Sequence, residues 1–162
     1  MRATLALALA LALAGCGFQL RGTADLPFES LFIPGATAGI GLDLKRNIQS
    51  GTRTRVVEDQ KRAQAVLQFT EDAREKNILS LANTGRVREF QLRYRVGFRV
   101  HDGRGSEFLP ASQITLTRDF TFNDTDVLAK ELEEAQIYRE MQADMVQQIL
   151  RRISAATPPR PQ

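Results

Sequence analysis

The chain has 162 residues, with one cysteine, one histidine, no tryptophan, and 22 basic against 19 acidic side chains, a formal charge of +3. A single cysteine excludes an internal disulfide and any metal site made of several thiolates, and a single histidine leaves no cluster from which a zinc centre could be built. So small a charge excess says little by itself, and where the charges lie says more.

The first sixteen residues follow the order of a secretion signal. Arg2 supplies a charge, and residues 3–14 are almost wholly Ala and Leu without a charge. That run is shorter than the roughly 20 residues a spanning helix needs. It closes in Leu13-Ala14-Gly15-Cys16, the pattern of a lipobox. The chemistry expected there is alkylation of the Cys16 sulfur by a diacylglycerol, removal of residues 1–15, and acylation of the new amino group. Three chains, each contributing roughly 0.8 kcal/mol per buried methylene, then hold the protein on the periplasmic side of a membrane. No other cofactor is expected. The remaining 147 residues carry 21 basic and 19 acidic groups, enough for one domain and too few for two comfortable cores.

Residues 16–26 read as a lipidated leash, 27–154 as a single domain, and 155–162 (AATPPRPQ) as a disordered proline-rich tail. Within the domain, Leu31-Phe32-Ile33 before Pro34-Gly35 predicts a strand and turn. Ile40, Leu44 and Ile48 fall on one helical face, predicting a helix over 41–50 with Gly51 placed to end it. A short strand is expected over 54–57. A long or bulged strand follows from about Leu67 to Leu81, and Asn83-Thr84-Gly85 forms a hairpin turn. The next strand is the clearest: Phe90, Leu92, Tyr94, Val96, Phe98 and Val100 share one face, while Gln91, Arg93, Arg95, Arg99 and His101 share the other. Asp102-Gly103-Arg104-Gly105 turns the chain into a strand with Ile114, Leu116, Phe120 and Phe122, whose apolar face Arg118 interrupts. From Asp126 to Ile153 the period becomes helical, through Leu128, Leu132, Ala135, Tyr138, Met141, Met145, Ile149 and Ile153, with Asp124, Thr125 or Asp126 able to cap it. The expected fold is α+β: two helices packed on one face of a mostly antiparallel sheet of four to five strands.

Enzymatic chemistry has little to stand on. His101 sits at a strand end beside a turn, and no nucleophile elbow, phosphate loop or dinucleotide glycine pattern is present. Glu131, Glu133, Glu134 and Glu140 lie on the polar side of the last helix, where solvation explains them better than paired carboxylate catalysis. Basic residues instead crowd 86–104, and acids crowd 119–140. A clustered cationic surface outside the cytoplasm points to anionic lipid, glycolipid phosphate or an acidic partner, and not to nucleic acid. Arg93, Arg95 and Arg99 make a strip beside Arg86 and Arg88, and arginine's planar fork suits phosphate, although pairing with acids such as Asp119 accounts for them as well. Lys130 lies in the first turns of the long helix, where a cation opposes the helix dipole.

Taken in order, Gly15-Cys16-Gly17-Phe18-Gln19-Leu20-Arg21-Gly22, Glu89-Phe90-Gln91-Leu92, Arg118-Asp119-Phe120 and Leu128-Ala129-Lys130-Glu131 resemble the LptE family of outer-membrane lipopolysaccharide-assembly lipoproteins. The resemblance implies a small α/β domain that plugs and helps assemble the β-barrel protein LptD, binds lipopolysaccharide through basic positions, and catalyses nothing. Lys130 falls on one such position. The hairpin position falls on Asn83, with Arg86 and Arg88 close by as substitutes. Lys130, Arg86, Arg88, Arg93 and Arg95 are therefore the expected lipopolysaccharide contacts. Gly17 is not the aspartate that commonly retains lipoproteins at the inner membrane, so the outer membrane is the expected location. A scaffold or auxiliary subunit of another envelope assembly or transport system stands as the main alternative, and an envelope enzyme or enzyme inhibitor as the second.

Overall fold

A computed structural model describes residues 25–157; the leader, Cys16, most of the leash and residues 158–162 of the tail lie outside the described residues. The order of elements is β1 (Ser30–Phe32), α1 (Gly39–Gly51), β2 (Arg55–Val57), a 3-10 turn (Gln60–Arg62), β3 (Ala65–Leu81), β4 (Val87–His101), β5 (Glu107–Thr121), a second 3-10 turn (Asp124–Asp126) and α2 (Val127–Ser154). The sheet runs β2-β1-β3-β4-β5. β3, β4 and β5 form an antiparallel meander, whereas β1 lies parallel to both β2 and β3 over two or three residues each. The sheet is thus mixed, because the opening strand-helix-strand unit must return its second strand in the direction of its first.

Both helices cover the same face. On β4, Leu92, Tyr94, Val96, Phe98 and Val100 are completely buried, and they meet Ile40, Leu44 and Ile48 of α1 and Met141, Met145, Ile149 and Ile153 of α2 in one core. Each such side chain contributes roughly 1.5–3 kcal/mol by leaving water. The helices run in the same direction: Gln142 donates to Asp43 Oδ2, and five residues on, Gln147 donates to Asn47 Oδ1 at 3.2 Å.

A bulge at Thr70 decides the rest of the architecture. The β3–β4 register slips between Phe69 and Glu71, so Leu67 and Phe69 face the helices, but beyond the bulge Asp72, Arg74, Lys76 and Ile78 take over that face. Glu71, Ala73, Glu75 and Asn77 turn to the open face. Gly97 makes room for this: a Cβ there would lie 2.5 Å from Thr70 Oγ1 and 3.3 Å from the Glu71 nitrogen. Upper β3 therefore meets α2 through polar groups. Lys76 pairs with Glu134 at 2.6 Å, the Tyr138 hydroxyl donates to the Glu75 carbonyl at 2.8 Å, and Arg74 donates to Gln142.

Several expectations need correcting. β5 begins at Glu107, seven residues before Ile114, and carries Pro110, which a strand at the sheet's free edge tolerates. Asp126 stands at the N-cap position of α2 but its side chain makes no capping bond; Asn123 accepts from the Thr125 N–H at 3.2 Å and caps the preceding 3-10 turn. Leu128 and Leu132 belong to the helical apolar series, yet they are 72% and 64% exposed, because the stripe rotates away from the sheet before Ile137. Arg118 does stand on the helix face of β5, and its partner there is Asp144 of α2 at 3.1 Å.

Candidate functional site

Three surfaces emerge from this framework: the open sheet face, the hairpin end, and the opposite end where the chain enters. On the open face, Arg95 bonds Glu75 and lies 3.4 Å from Glu71, Arg93 lies 3.6 Å from Glu75, and Arg99 donates twice to Gln68. Gln91 donates to Asp119, and Gln113 to Glu71. Cross-strand pairing of the arginines was foreseen, but the acids come from β3 and not from β5, since the bulge brings Glu71 and Glu75 onto this face. The result is a flat lattice of Arg, Glu, Gln and Thr that no helix covers. Its charges are internally matched.

The hairpin end is different in kind. The exposed large apolar side chains of the described residues, Ile78, Leu79, Leu81, Val127, Leu128 and Leu132, all belong to the last turn of β3 or the start of α2. Short links hold these segments together: Arg86 lies 3.3 Å from Asp124, the Phe122 N–H donates to the Arg88 carbonyl at 2.8 Å, and Lys130 Nζ is 3.5 Å from Thr121 Oγ1. Beneath α2, Lys76 sits over the Phe90 ring at 4.2 Å and within 5.8 Å of the Phe120 and Phe122 rings. A cation held against aromatic faces and a carboxylate is fixed both electrostatically and by packing.

Of the five basic residues predicted to bind, three are gathered here and two are not. Arg86, Arg88 and Lys130 share the hairpin end, while Arg93 and Arg95 stand on the open face. Lys130 turns back to Glu133 at 2.7 Å, with its side chain only 19% exposed, which answers the unfavourable helix dipole with a local acid. Sequence reasoning overlooked Lys76, because strand alternation without the bulge assigns it to the other face. Cys16 lies outside the described residues.

The remaining chemistry is structural. His101 Nδ1 accepts from the Gly103 N–H at 3.0 Å and so closes its own turn. The N–H of Arg104, followed by that of Ser106, holds the Asp102 carboxyl below its ordinary range. Burial pushes the Tyr94 phenol up to about 12, and its hydroxyl finds no hydrogen-bond partner under the Arg74 guanidinium, 5.0 Å from the ring centroid. Among the described residues, no group of three or more His, Cys, Asp and Glu could hold a metal, and no helix is long and apolar enough to cross a membrane.

With this geometry in place, comparison with known proteins gives a consistent result. A family model described as LptE, lipopolysaccharide-assembly, matches residues 27–153. The chain is 30% identical over 143 residues to the LPS-assembly lipoprotein LptE of Photorhabdus laumondii, covering 86% of this chain and 78% of that protein. It is 46% identical to uncharacterized lipoprotein B from Nitrosomonas europaea, whose solution structure superposes with a TM-score of 0.74 over 86% of this chain and 91% of that one. The crystal structure of rare lipoprotein B from Shewanella oneidensis is similar at 26% identity and a TM-score of 0.64, covering 75% of this chain and 89% of that one.

Proposed function

The chain belongs to the LptE lipopolysaccharide-assembly family, and from that premise we propose that it is a non-enzymatic lipoprotein of the outer membrane, tethered on the periplasmic side through Cys16. Its body engages a β-barrel protein of the LptD kind as a plug and assists its assembly, and it contacts lipopolysaccharide during delivery to the outer leaflet. The tether is the diacylglycerol and acyl chain on Cys16, and no further cofactor takes part. The domain is residues 27–154, with 16–26 as its leash.

One observation carries the partner reading. A domain with a well-packed core leaves its large exposed aliphatics at one end and one whole sheet face polar and uncovered. Exposed apolar clusters of this sort mark surfaces that meet another molecule. A polar, charge-matched sheet face suits the hydrogen-bonding lumen of a barrel, where unpaired charge would be costly.

Lipopolysaccharide phosphates would meet Lys130, Arg86 and Arg88 at the hairpin end. Arg93 and Arg95 are held by Glu75 and Glu71, as Arg86 is by Asp124 and Lys130 by Glu133, so a phosphate competes with a carboxylate at each of these, and Arg88 alone of the five is in no ion pair among the described residues. The deciding experiment is recovery of the lipidated protein from detergent-solubilised outer membrane. A large β-barrel protein and lipopolysaccharide come with it if the reading holds, and their absence sinks it. Replacing Lys130, Arg86 and Arg88 together by Glu lowers lipopolysaccharide binding at least roughly tenfold, with the loss shrinking as salt rises.

A further inference from the structure

We propose that the groove between the upper half of β3 and the first half of α2 docks a segment of the barrel protein, whose Asp or Glu side chain enters between Arg74 and Arg139. This contact presupposes the plug reading above and gives part of its surface a partner chemistry.

The groove is open because its neighbours stop short of it. Beyond Val66, β3 leaves β1 and has only β4 beside it. α1 starts low: Asp43, in its second turn, already meets Gln142, so in two parallel helices Gly39 stands about level with Tyr138. Past that point only α2 lies along the helix face of β3.

The two walls are built alike. On α2, Leu128, Leu132, Ala135 and Arg139 are four, three and four residues apart and share one stripe. On β3, Ile78, Lys76 and Arg74 alternate onto the helix face. Each wall begins in exposed aliphatics at the hairpin end and finishes in an arginine, and Arg74, Lys76, Ala135, Tyr138 and Arg139 line one cleft. The aliphatic mouth belongs to the surface already assigned to the barrel protein, so the cleft continues that surface.

The two arginines are distinguished by what holds them. Arg86, Arg93, Arg95 and Arg118 each face a carboxylate. Arg74 instead donates to Gln142 and lies 5.0 and 5.3 Å from the ring centroids of Tyr94 and Tyr138, while Arg139 donates twice to Gln136 Oε1, at 3.1 and 2.7 Å. Both are exposed, and neither is in an ion pair among the described residues. Neutral amides and rings orient a guanidinium without cancelling its charge, which leaves its other N–H groups to a ligand. The acids of the cleft do not answer them. Glu134 is taken by Lys76, and Glu131 stands two helical turns above Arg139, about 12 Å at 1.5 Å per residue.

Burial selects the ligand. A guanidinium in water needs no partner, but a plug surface pressed against a barrel wall loses its water, and a charge left unpaired there is strongly unfavourable. The open sheet face meets that demand with its own Glu71 and Glu75. The groove has no acid to spare and must draw one from the partner, whose carboxylate can accept two bonds at once from an arginine fork. Along β3, Ile78 and Arg74 are about 13 Å apart at roughly 3.3 Å per residue. An extended segment with an apolar residue and an acid about four positions apart fits that spacing.

The test uses the full lipidated chain in its complex from solubilised outer membrane. Arg139→Glu, at an exposed helix position, lowers the barrel protein recovered per lipoprotein at least roughly tenfold, while the level and unfolding transition of the lipoprotein stay as they were. Arg74→Lys and Arg139→Lys keep the charge and the packing, and each supplies a primary amine that a carbodiimide couples to a touching carboxylate. Mass spectrometry then finds an amide from position 74 or 139 to an Asp or Glu of the barrel protein, absent from the unaltered complex. Unchanged recovery with Arg139→Glu, or no amide from either position to the barrel protein, overturns the groove and leaves the plug reading standing. Loss of lipopolysaccharide alone, with the barrel protein kept, overturns it equally and makes the pair a phosphate site. An unaltered chain that brings down no β-barrel protein overturns both readings.

Discussion

The two halves of α2 face the same sheet and are held to it by different forces. From Met141 onward, Met141, Met145, Val146, Ile149 and Ile153 are at most 1% exposed and interlock with α1 and the lower sheet. Before Met141 the helix is held by Lys76–Glu134, the Tyr138 hydroxyl on Glu75, Lys130 near Thr121 and partly buried Ile137, while Leu128 and Leu132 point into solvent. Water competes with ion pairs and not with buried methylenes, so the lower half carries the stability and the upper half remains available for other contacts. Hydrogen exchange will show the first turns of α2 opening well below the free energy of global unfolding.

The largest break in this comparison comes from the lower half. Phe98→Ala removes a completely buried ring from the middle of β4 and costs about 3–5 kcal/mol in urea unfolding. Next comes the bulge that separates the halves. Gly97→Ala puts a methyl group 2.5 Å from Thr70 Oγ1 and costs about 1–3 kcal/mol. Thr70→Ala in the same chain recovers part of that loss, because the nearest atom is then gone; no recovery would show that the Glu71 backbone is the limiting contact. Gln142→Leu breaks the bridge from Arg74 to Asp43 and costs about 1–2 kcal/mol.

Tyr94 sharpens the boundary at smaller cost. Its hydroxyl is buried without a partner, so Tyr94→Phe changes stability at neutral pH by less than about 1 kcal/mol. Alkali distinguishes the two chains. Folding raises the phenol from 10.0 to about 12, so the unfolded chain loses its proton first as pH rises. The stability this group contributes is complete below pH 10 and is lost as pH climbs from 10 toward 12. The phenylalanine variant lacks that part of the alkaline slope.

Much of the lower half could be read from the sequence and little of the upper. Alternation marked β4 correctly along its length, since every second residue there is either core or open face. It failed on β3, where the flip at Thr70 answers a close approach by Gly97 from another strand, and a one-dimensional pattern cannot carry that. The same flip explains why Arg93 and Arg95 pair with Glu75 and Glu71 and not with Asp119. On α2, the three- and four-residue spacing continues unbroken from Ile153 back to Leu128. Spacing shows that residues share a stripe, but not where along the helix the sheet stops meeting it. The gathering of Arg86, Arg88 and Lys130 depended on the β5–α2 turn, which composition does not reveal.

The smallest expected effect on stability bears most directly on function. Leu128→Ser with Leu132→Ser removes apolar area that is already in water, and exposed helix positions with serine lose only a few tenths of a kcal/mol, so unfolding shifts by less than about 1 kcal/mol. If the upper half exists to meet a partner, the same pair of substitutions sharply reduces the β-barrel protein recovered with the lipidated chain from solubilised membrane, at unchanged protein level. Phe98→Ala should do the reverse, lowering the amount of protein while the surviving molecules keep their partner. Undiminished recovery with both leucines replaced would mean that these side chains are incidental exposure, and that the polar sheet face alone makes the contact.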